Sequence, residues 1–133
     1  MVSAMLAKIL IADDHEIVRE GVCRLIAKSR PEWGICAQAR DGEQALEAIQ
    51  KMDPDIVILD ISMPKASGLE VAAKVNAMHL HTRVLMFTMH ESDRLADDAR
   101  AVGAQGLVLK SQAARDLIRA IDRLLAGETF FGN

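Results

Sequence analysis

The sequence predicts a single α/β domain in which helices cover both faces of a parallel β-sheet. Short β-branched apolar runs alternate strictly with longer segments of helical periodicity, five of each along the chain. Such alternation is typical of parallel strands joined by right-handed crossovers. The chain has 133 residues, a length that suits one domain with its own core. No linker, repeat or low-complexity segment divides it.

The five predicted strands are short, and several are apolar at every position. They occupy residues 8–12, 34–39, 56–59, 83–88 and 106–109. The runs KILIA and IVIL are the clearest examples. Because their apolar residues are continuous rather than alternating, they indicate strands that are buried on both faces.

The five predicted helices place apolar residues three and four positions apart. They occupy residues 15–29, 42–52, 68–77, 92–103 and 113–127. The last helix is the most regular, with Leu117, Ile121 and Leu124 on one face. Gly127 is a typical signal for its end. The fourth helix is polar and more weakly patterned.

Composition argues against several function classes. The net charge is −3 and the isoelectric point about 5.8, so the chain lacks the clustered basic charge that grips nucleic acid. Cys23 and Cys36 lie inside apolar patterns, which favours buried, reduced thiols and a cytoplasmic protein. No apolar run is long enough to span a bilayer, and no export signal begins the sequence. The sequence therefore predicts neither membrane insertion nor export.

Polar side chains follow four of the predicted strands. Asp13 and Asp14 come after the first strand, Asp60 after the third, Thr88 at the end of the fourth and Lys110 after the fifth. In an open parallel sheet the carboxyl ends of the strands form one edge, where binding sites lie. The sequence therefore predicts a site that combines three carboxylates, a hydroxyl and an ammonium group.

This combination favours metal-assisted phosphoryl chemistry. Two neighbouring carboxylates repel by about 4 kcal/mol at an effective dielectric constant near 20, so a cation or a proton must compensate them. Mg²⁺ suits one or two carboxylates together with a phosphate. A carboxylate is also a competent nucleophile for an acyl phosphate, and an ammonium and a hydroxyl stabilise phosphoryl oxygens. Since no nucleotide-binding glycine motif is present, the phosphoryl group is expected to come from another molecule.

Four motifs carry a resemblance to a known family: ILIADDHEIVREGV, VILDISMPKASGLE, VLMFTMHESD and GAQGLVLKS. From about Lys8 to Gly127 the chain resembles the receiver domain of bacterial two-component response regulators. The segments DDHEIVREGV and TMHESD resemble receivers of the NarL/LuxR type. The resemblance implies a flavodoxin-like (βα)5 doubly wound sandwich with strand order 2-1-3-4-5. It implies one receiver domain over residues 1–133, with a core of about 6–127.

The resemblance also implies a role for each site residue. Asp60 would be the phosphoacceptor, receiving its phosphoryl group from a phosphohistidine of a sensor histidine kinase. Mg²⁺ would be bound directly by Asp14 and largely through water by Asp13, with Asp60 and the backbone carbonyl of Ser62 completing the metal site. Three further groups would bind the phosphoryl oxygens, namely Thr88, the backbone amide of Met89, and Lys110, which would pair with Asp60 beforehand.

Two positions are implied to affect dephosphorylation, and two others differ from the residues that the family usually has. In the family, the positions of Ser62 and His90 influence the rate of dephosphorylation, although His90 is equally well interpreted as an exposed loop residue. In the family, the threonine at the position of Thr88 acts together with a tyrosine or phenylalanine three residues before the lysine, whereas this chain has Leu107 there. A proline often follows the lysine, in many cases after a cis bond, whereas this chain has Ser111. A trans bond or a strained one is expected at Lys110–Ser111.

The resemblance further implies partners and an output. Family members of this type carry a helix-turn-helix domain, so we expect a transcription regulator whose DNA-binding domain is absent from this chain. DNA would be contacted only through that domain, and phosphorylation would favour a homodimer. We expect a cytoplasmic signalling module that promotes its own phosphorylation and dephosphorylation rather than an enzyme with separate substrates.

Two alternative interpretations belong to other classes. A phosphatase of the haloacid dehalogenase kind also combines a nucleophilic aspartate, Mg²⁺ and a lysine. It carries its DxD motif near the first strand, however, whereas the candidate nucleophile here follows the third. A degenerate receiver would act only as a protein-binding module without phosphorylation. The complete set of polar residues argues against it, and Leu107 argues mildly for it.

Overall fold

The computed structural model describes residues 7–131. In chain order the elements are β1 (Lys8–Ala12), α1 (Glu16–Ser29), β2 (Gly34–Ala39), α2 (Gly42–Met52), β3 (Ile56–Asp60), α3 (Gly68–Ala77), β4 (Arg83–Thr88), α4 (Asp93–Ala101), β5 (Gly106–Leu109) and α5 (Ala113–Leu125). A short 3₁₀ turn at Lys110–Gln112 joins β5 to α5. The ten elements lie where the sequence predicts them, with ends that differ by a few residues.

The strands form one parallel sheet in the order β2-β1-β3-β4-β5. The predicted fold class and strand order are therefore confirmed. From β1 the chain first moves outward to β2 and then returns past β1 to β3. The direction of winding thus reverses beside β1, and the carboxyl ends of β1 and β3 flank the crevice that this reversal opens.

Strand residues alternate between two separate cores. Ile9 and Ile11 of β1 pack towards α1 and α5, whereas Leu10 and Ala12 pack towards the three remaining helices. Every residue of β3 is buried. These contacts explain the continuous apolar runs, because each side chain of a central strand enters one of the two cores.

The packed structure continues past the predicted core boundary at residue 127. Phe130 is 3% exposed and contributes to the core beneath α5. Its carbonyl oxygen accepts a hydrogen bond of 2.8 Å from the Leu107 amide of the edge strand β5. An edge strand leaves main-chain groups on its outer side without hydrogen-bond partners. The segment after α5 supplies such partners to β5.

No helix between residues 7 and 131 has both the length and the apolar character needed to cross a bilayer.

Candidate functional site

The candidate site lies where β1 and β3 end side by side. Ala12 pairs with Leu59 in the parallel ladder, so the residues that follow them, Asp13 and Asp60, lie at the same level of the sheet edge. The Asp13 amide donates a 3.0 Å hydrogen bond to the Ala39 carbonyl of β2. Both carboxylates are buried, with exposed fractions of 1% for Asp13 and 5% for Asp60.

Lys110 supplies the compensating positive charge. Its Nζ lies 2.7 Å from Oδ2 of Asp13 and 3.5 Å from Oδ1 of Asp60. The sequence prediction pairs this lysine with Asp60, whereas the shorter contact is to Asp13. Oδ2 of Asp13 is buried and accepts no hydrogen bond of good geometry from residues 7–131, so its contact with Lys110 is an ion pair. One ammonium therefore serves two buried carboxylates.

The carboxyl group of Asp60 is difficult to ionise in this setting. Burial is the main cause, and the neighbouring charge of Asp13 adds to it; together they raise the pKa of Asp60 from its ordinary 3.8 to about 6. Lys110 and a hydrogen bond from the Ser62 amide oppose the rise without cancelling it. A divalent cation near these carboxylates would favour the ionised form that a nucleophile needs.

The predicted hydroxyl and loop residues surround a small cavity of about 60 Å³ beside Asp60. Thr88 lines it from β4, and its Oγ accepts a 3.2 Å hydrogen bond from the His90 amide. The Ser62 amide donates a 3.3 Å hydrogen bond to Oδ1 of Asp60. Met89 and His90 also line the cavity, and both side chains are exposed. The structure therefore brings together the polar ends of β3, β4 and β5.

His15 contributes to the acidic crevice, although its sequence position is equally consistent with a residue at the start of the first helix. Its backbone does precede α1, without a capping hydrogen bond from its side chain. Its Nδ1 lies 3.2 Å from Oδ1 of Asp13 and 3.1 Å from Oδ1 of Asp14. Four residues, Asp13, Asp14, His15 and Asp60, each offer one ligand atom, and these four atoms lie within 4.8 Å of one another. This spacing would allow them to hold a metal ion.

Arg19 is a site residue that sequence reasoning missed. Its Nη1 donates a 2.7 Å hydrogen bond to the Asp13 carbonyl, and its Nε donates one of 3.1 Å to Oε1 of Gln38. Arg19 thereby ties the main chain of the acidic pair to α1 and β2, in the way that outer contacts orient metal ligands. Its position at i+4 from His15 was the available signal, since that spacing returns a helical side chain to the same face.

Leu107 and Ser111 lie outside the cavity. Leu107 pairs with Met86 of β4 and packs at the edge of the core beneath α2, α3 and α4. The Lys110–Ser111 bond is trans, since the described residues contain no cis peptide. This trans bond lies within the 3₁₀ turn from which Lys110 reaches Asp13.

Fold and site together define a small doubly wound α/β domain with buried, lysine-compensated carboxylates at the switch point of its sheet. A family model, described as the response regulator receiver domain, matches residues 9–122. This chain belongs to the family of response regulator receiver domains.

Curated relatives identify the branch. The chain is 34% identical to the transcriptional regulatory protein DegU of Brevibacillus brevis, over 92% of this chain and 52% of that protein. It is 35% identical to the nitrate/nitrite response regulator NarL of Escherichia coli K12, over 92% of this chain and 56% of the relative. The chain thus spans about half the length of the curated relatives it matches.

Solved structures agree with this placement. The signal receiver domain of NarL from Mycobacterium tuberculosis superposes with a TM-score of 0.88 at 33% identity, covering 92% of this chain and 98% of that one. A LuxR-family two-component response regulator from Aurantimonas sp. SI85-9A1 gives a TM-score of 0.88 at 38% identity, covering 94% of this chain and 89% of that one. The chain is therefore a receiver domain of the NarL/LuxR type, as its sequence motifs predict.

Proposed function

We propose that the domain takes a phosphoryl group onto Asp60 from the phosphohistidine of a sensor histidine kinase. The observation that carries the proposal is a buried aspartate beside a second buried carboxylate, with one ammonium reaching both. An oxygen of Asp60 attacks phosphorus, the P–N bond to the histidine breaks, and an acyl phosphate forms. The imidazole leaves with the bond's electron pair and takes up a proton.

Groups around the cavity are suited to the new phosphoryl oxygens. Lys110 already lies 3.5 Å from Oδ1 of Asp60, so it compensates negative charge as this is transferred. The Thr88 hydroxyl and the Met89 amide are the proposed hydrogen-bond donors on the β4 side. Ser62 and His90 line the mouth of the cavity, where a side chain influences the access of water and hence the rate of dephosphorylation.

The residues present suit Mg²⁺. The carboxylates of Asp13, Asp14 and Asp60 supply the hard oxygen ligands it prefers, and the backbone carbonyl of Ser62 is the proposed fourth protein ligand. The buried Oδ2 of Asp13 forms the ion pair with Lys110 but accepts no well-formed hydrogen bond from the described residues, so it has lone pairs left for a water molecule of such an ion's shell. When bound, the ion supplies positive charge to the carboxylates and to phosphoryl oxygens.

Magnesium is expected to stabilise the folded protein. At a concentration about 100 times Kd, linkage gives about 2.7 kcal/mol of added unfolding free energy. Urea denaturation at pH 7 with and without Mg²⁺ measures this gain, which should be largely lost in Asp14→Asn. Asp97→Asn, on the exposed surface of α4, is the matched control and should keep it. Equal gains in both variants would show that the ion binds elsewhere.

Phosphorylation is expected with small-molecule donors. Treatment with acetyl phosphate or phosphoramidate and Mg²⁺ should give a single phosphoryl adduct by intact mass, absent in Asp60→Asn and present in Asp97→Asn. If neither donor gave an adduct, the result would favour a degenerate receiver that acts only as a binding module. Rapid turnover of many phosphate esters would favour the phosphatase interpretation instead.

The proposed output is control of transcription. The curated relatives are named as regulators and are about twice as long as the matched region, which supports an output domain in addition to the receiver; we propose a helix-turn-helix domain for it. In this proposal the receiver domain contacts the sensor kinase in the cytoplasm and forms a homodimer on phosphorylation. DNA is contacted only by the output domain. The receiver catalyses its own phosphorylation and dephosphorylation, and does not turn over other substrates.

A further inference from the structure

The segment after α5 lies against the outer edge of β5 as a short parallel strand. The Phe130 amide donates a 3.0 Å hydrogen bond to the Gln105 carbonyl, and the Leu107 amide donates one of 2.8 Å to the Phe130 carbonyl. Phe130 thus forms a parallel bridge with Gly106. A Cβ at position 106 would lie 2.9 Å from the Phe130 carbonyl oxygen, so this close approach depends on a glycine in β5.

The two phenylalanines point to opposite faces of the sheet. Phe130 enters the core beneath α5, whereas Phe131 packs with Leu107 at the edge of the other core. Because Phe130 bridges Gly106, the parallel register places Phe131 beside Leu107. The guanidinium carbon of Arg100, on α4, lies 4.2 Å from the centroid of the Phe131 ring, a favourable cation–π distance. An aromatic ring therefore occupies the α4–β5 surface although β5 itself has none there.

We infer that the surface formed by α4 and β5 is a docking site for the chain's own residues 129–131. In this site Phe131 acts as the aromatic residue that responds to the state of the crevice. The coupling to phosphorylation rests on the proposed function, whereas the docking itself does not. The occupant is defined by the structure, since the segment already makes two main-chain hydrogen bonds and a cation–π contact.

Two elements, α4 and β5, extend from the crevice to this ring. The Oγ of Thr88 accepts the His90 amide hydrogen bond, so a hydroxyl that turns towards a phosphoryl group changes its contact with the loop before α4. The α4 helix carries Arg100, which lies over Phe131. In the sheet, Thr88 of β4 pairs with Leu109 of β5, which lies two residues beyond Leu107. Movement of either element alters the surface that holds the ring, and we expect it to loosen the docked segment.

Docking is tested by amide hydrogen exchange in the unphosphorylated protein. The Leu107 and Phe130 amides should be protected, and Phe131→Ala should speed their exchange about tenfold or more by promoting local opening. The Ile58 amide in central β3 reports global unfolding and should not change. Met78→Ala, which removes an exposed apolar side chain elsewhere, is the matched control. Unchanged exchange at Leu107 and Phe130 in Phe131→Ala would overturn the docking.

Coupling is tested with beryllofluoride and Mg²⁺, a stable mimic of the aspartyl phosphate. Exchange at Leu107 and Phe130 should rise about threefold or more over the unliganded protein, and this rise should be absent in Asp60→Asn. Phe131→Leu, which keeps apolar bulk without the ring, should reduce the response. If beryllofluoride binds and the two amides do not respond, the coupling is wrong. If it fails to bind to the wild-type protein, the proposed function fails, while the docking result from Phe131→Ala still stands.

Discussion

Replacing Asp60 by Asn is expected to raise the free energy of unfolding of the metal-free protein by about 2 kcal/mol at pH 7. Burial and the charge of Asp13 raise the folded-state pKa of Asp60 from 3.8 to about 6. That difference corresponds to at most about 3 kcal/mol of unfavourable free energy for the ionised group. Asparagine keeps the shape of the side chain and removes this charge. The residue proposed to carry the function therefore lowers the stability of the domain.

The pH dependence of this effect has a defined sign. Between pH 3.8 and about pH 6 the folded state binds more protons at Asp60 than the unfolded state does. The free energy of unfolding therefore falls as the pH rises through this window. The protonated side chain contributes its full stability below 3.8, and this contribution is lost above about 6. Asp60→Asn should thus resemble the wild type near the lower limit and exceed it in stability above the upper one.

Urea denaturation in a chelating buffer across this pH range measures the difference. The titratable groups that surround Asp60 are Asp13, Asp14, His15 and Lys110. All four are present in both proteins, so the comparison at each pH reports the effect of the replacement at position 60. Asp97→Asn on the exposed face of α4 should show no comparable gain. A variant at position 60 that is less stable than the wild type at pH 7 would contradict the prediction.

Gly68→Ala is expected to destabilise the protein by about 1–3 kcal/mol, the usual range for overpacking. An added Cβ would overlap the Asp60 carbonyl oxygen and lie 2.9 Å from the Cα of Ile61. Both contacts are with backbone atoms, which move only if the end of β3 moves. The same substitution should therefore also weaken the stabilisation by Mg²⁺, because it shifts the residue that carries the central carboxylate.

Gly21→Ala is the matched control for this prediction. Gly21 lies within α1, and an added Cβ there would meet nothing within 4 Å. Alanine is favoured over glycine in a helix by up to about 1 kcal/mol, so this variant should be more stable than the wild type. Thermal or urea denaturation of both variants measures the contrast. A Gly68→Ala protein as stable as Gly21→Ala would show that the loop after β3 is free to adjust.

The sheet was predictable because its central strands are buried on both faces. In β3 the run from Ile56 to Leu59 alternates between two cores, so every position must be apolar and the signal is strong. The polar ends were predictable for a related reason. Parallel topology brings the carboxyl ends of all strands to one edge, and residues such as Asp60 and Thr88 then share a cavity.

Contacts that depend on side-chain reach were not predictable in the same way. Lys110 lies closer to Asp13, at 2.7 Å, than to Asp60, at 3.5 Å, and this difference depends on the 3₁₀ turn that positions the lysine. The bond from Arg19 to the Asp13 carbonyl depends on how α1 packs on the sheet. A helical arginine facing solvent and one facing a strand end have similar sequence patterns.

By itself the sequence determined the fold class, the strand order through its family resemblance, and the set of residues at the sheet edge. The fold class and the residues at the sheet edge follow from hydrophobic periodicity, which is encoded locally and repeated along the chain, whereas the strand order follows from the resemblance. Only the tertiary structure decided which of the two carboxylates lies closer to the lysine and that Phe130 and Phe131 extend the domain along β5. Both depend on a few atoms from distant segments that meet within hydrogen-bond distance, and no local pattern in the sequence specifies such an encounter.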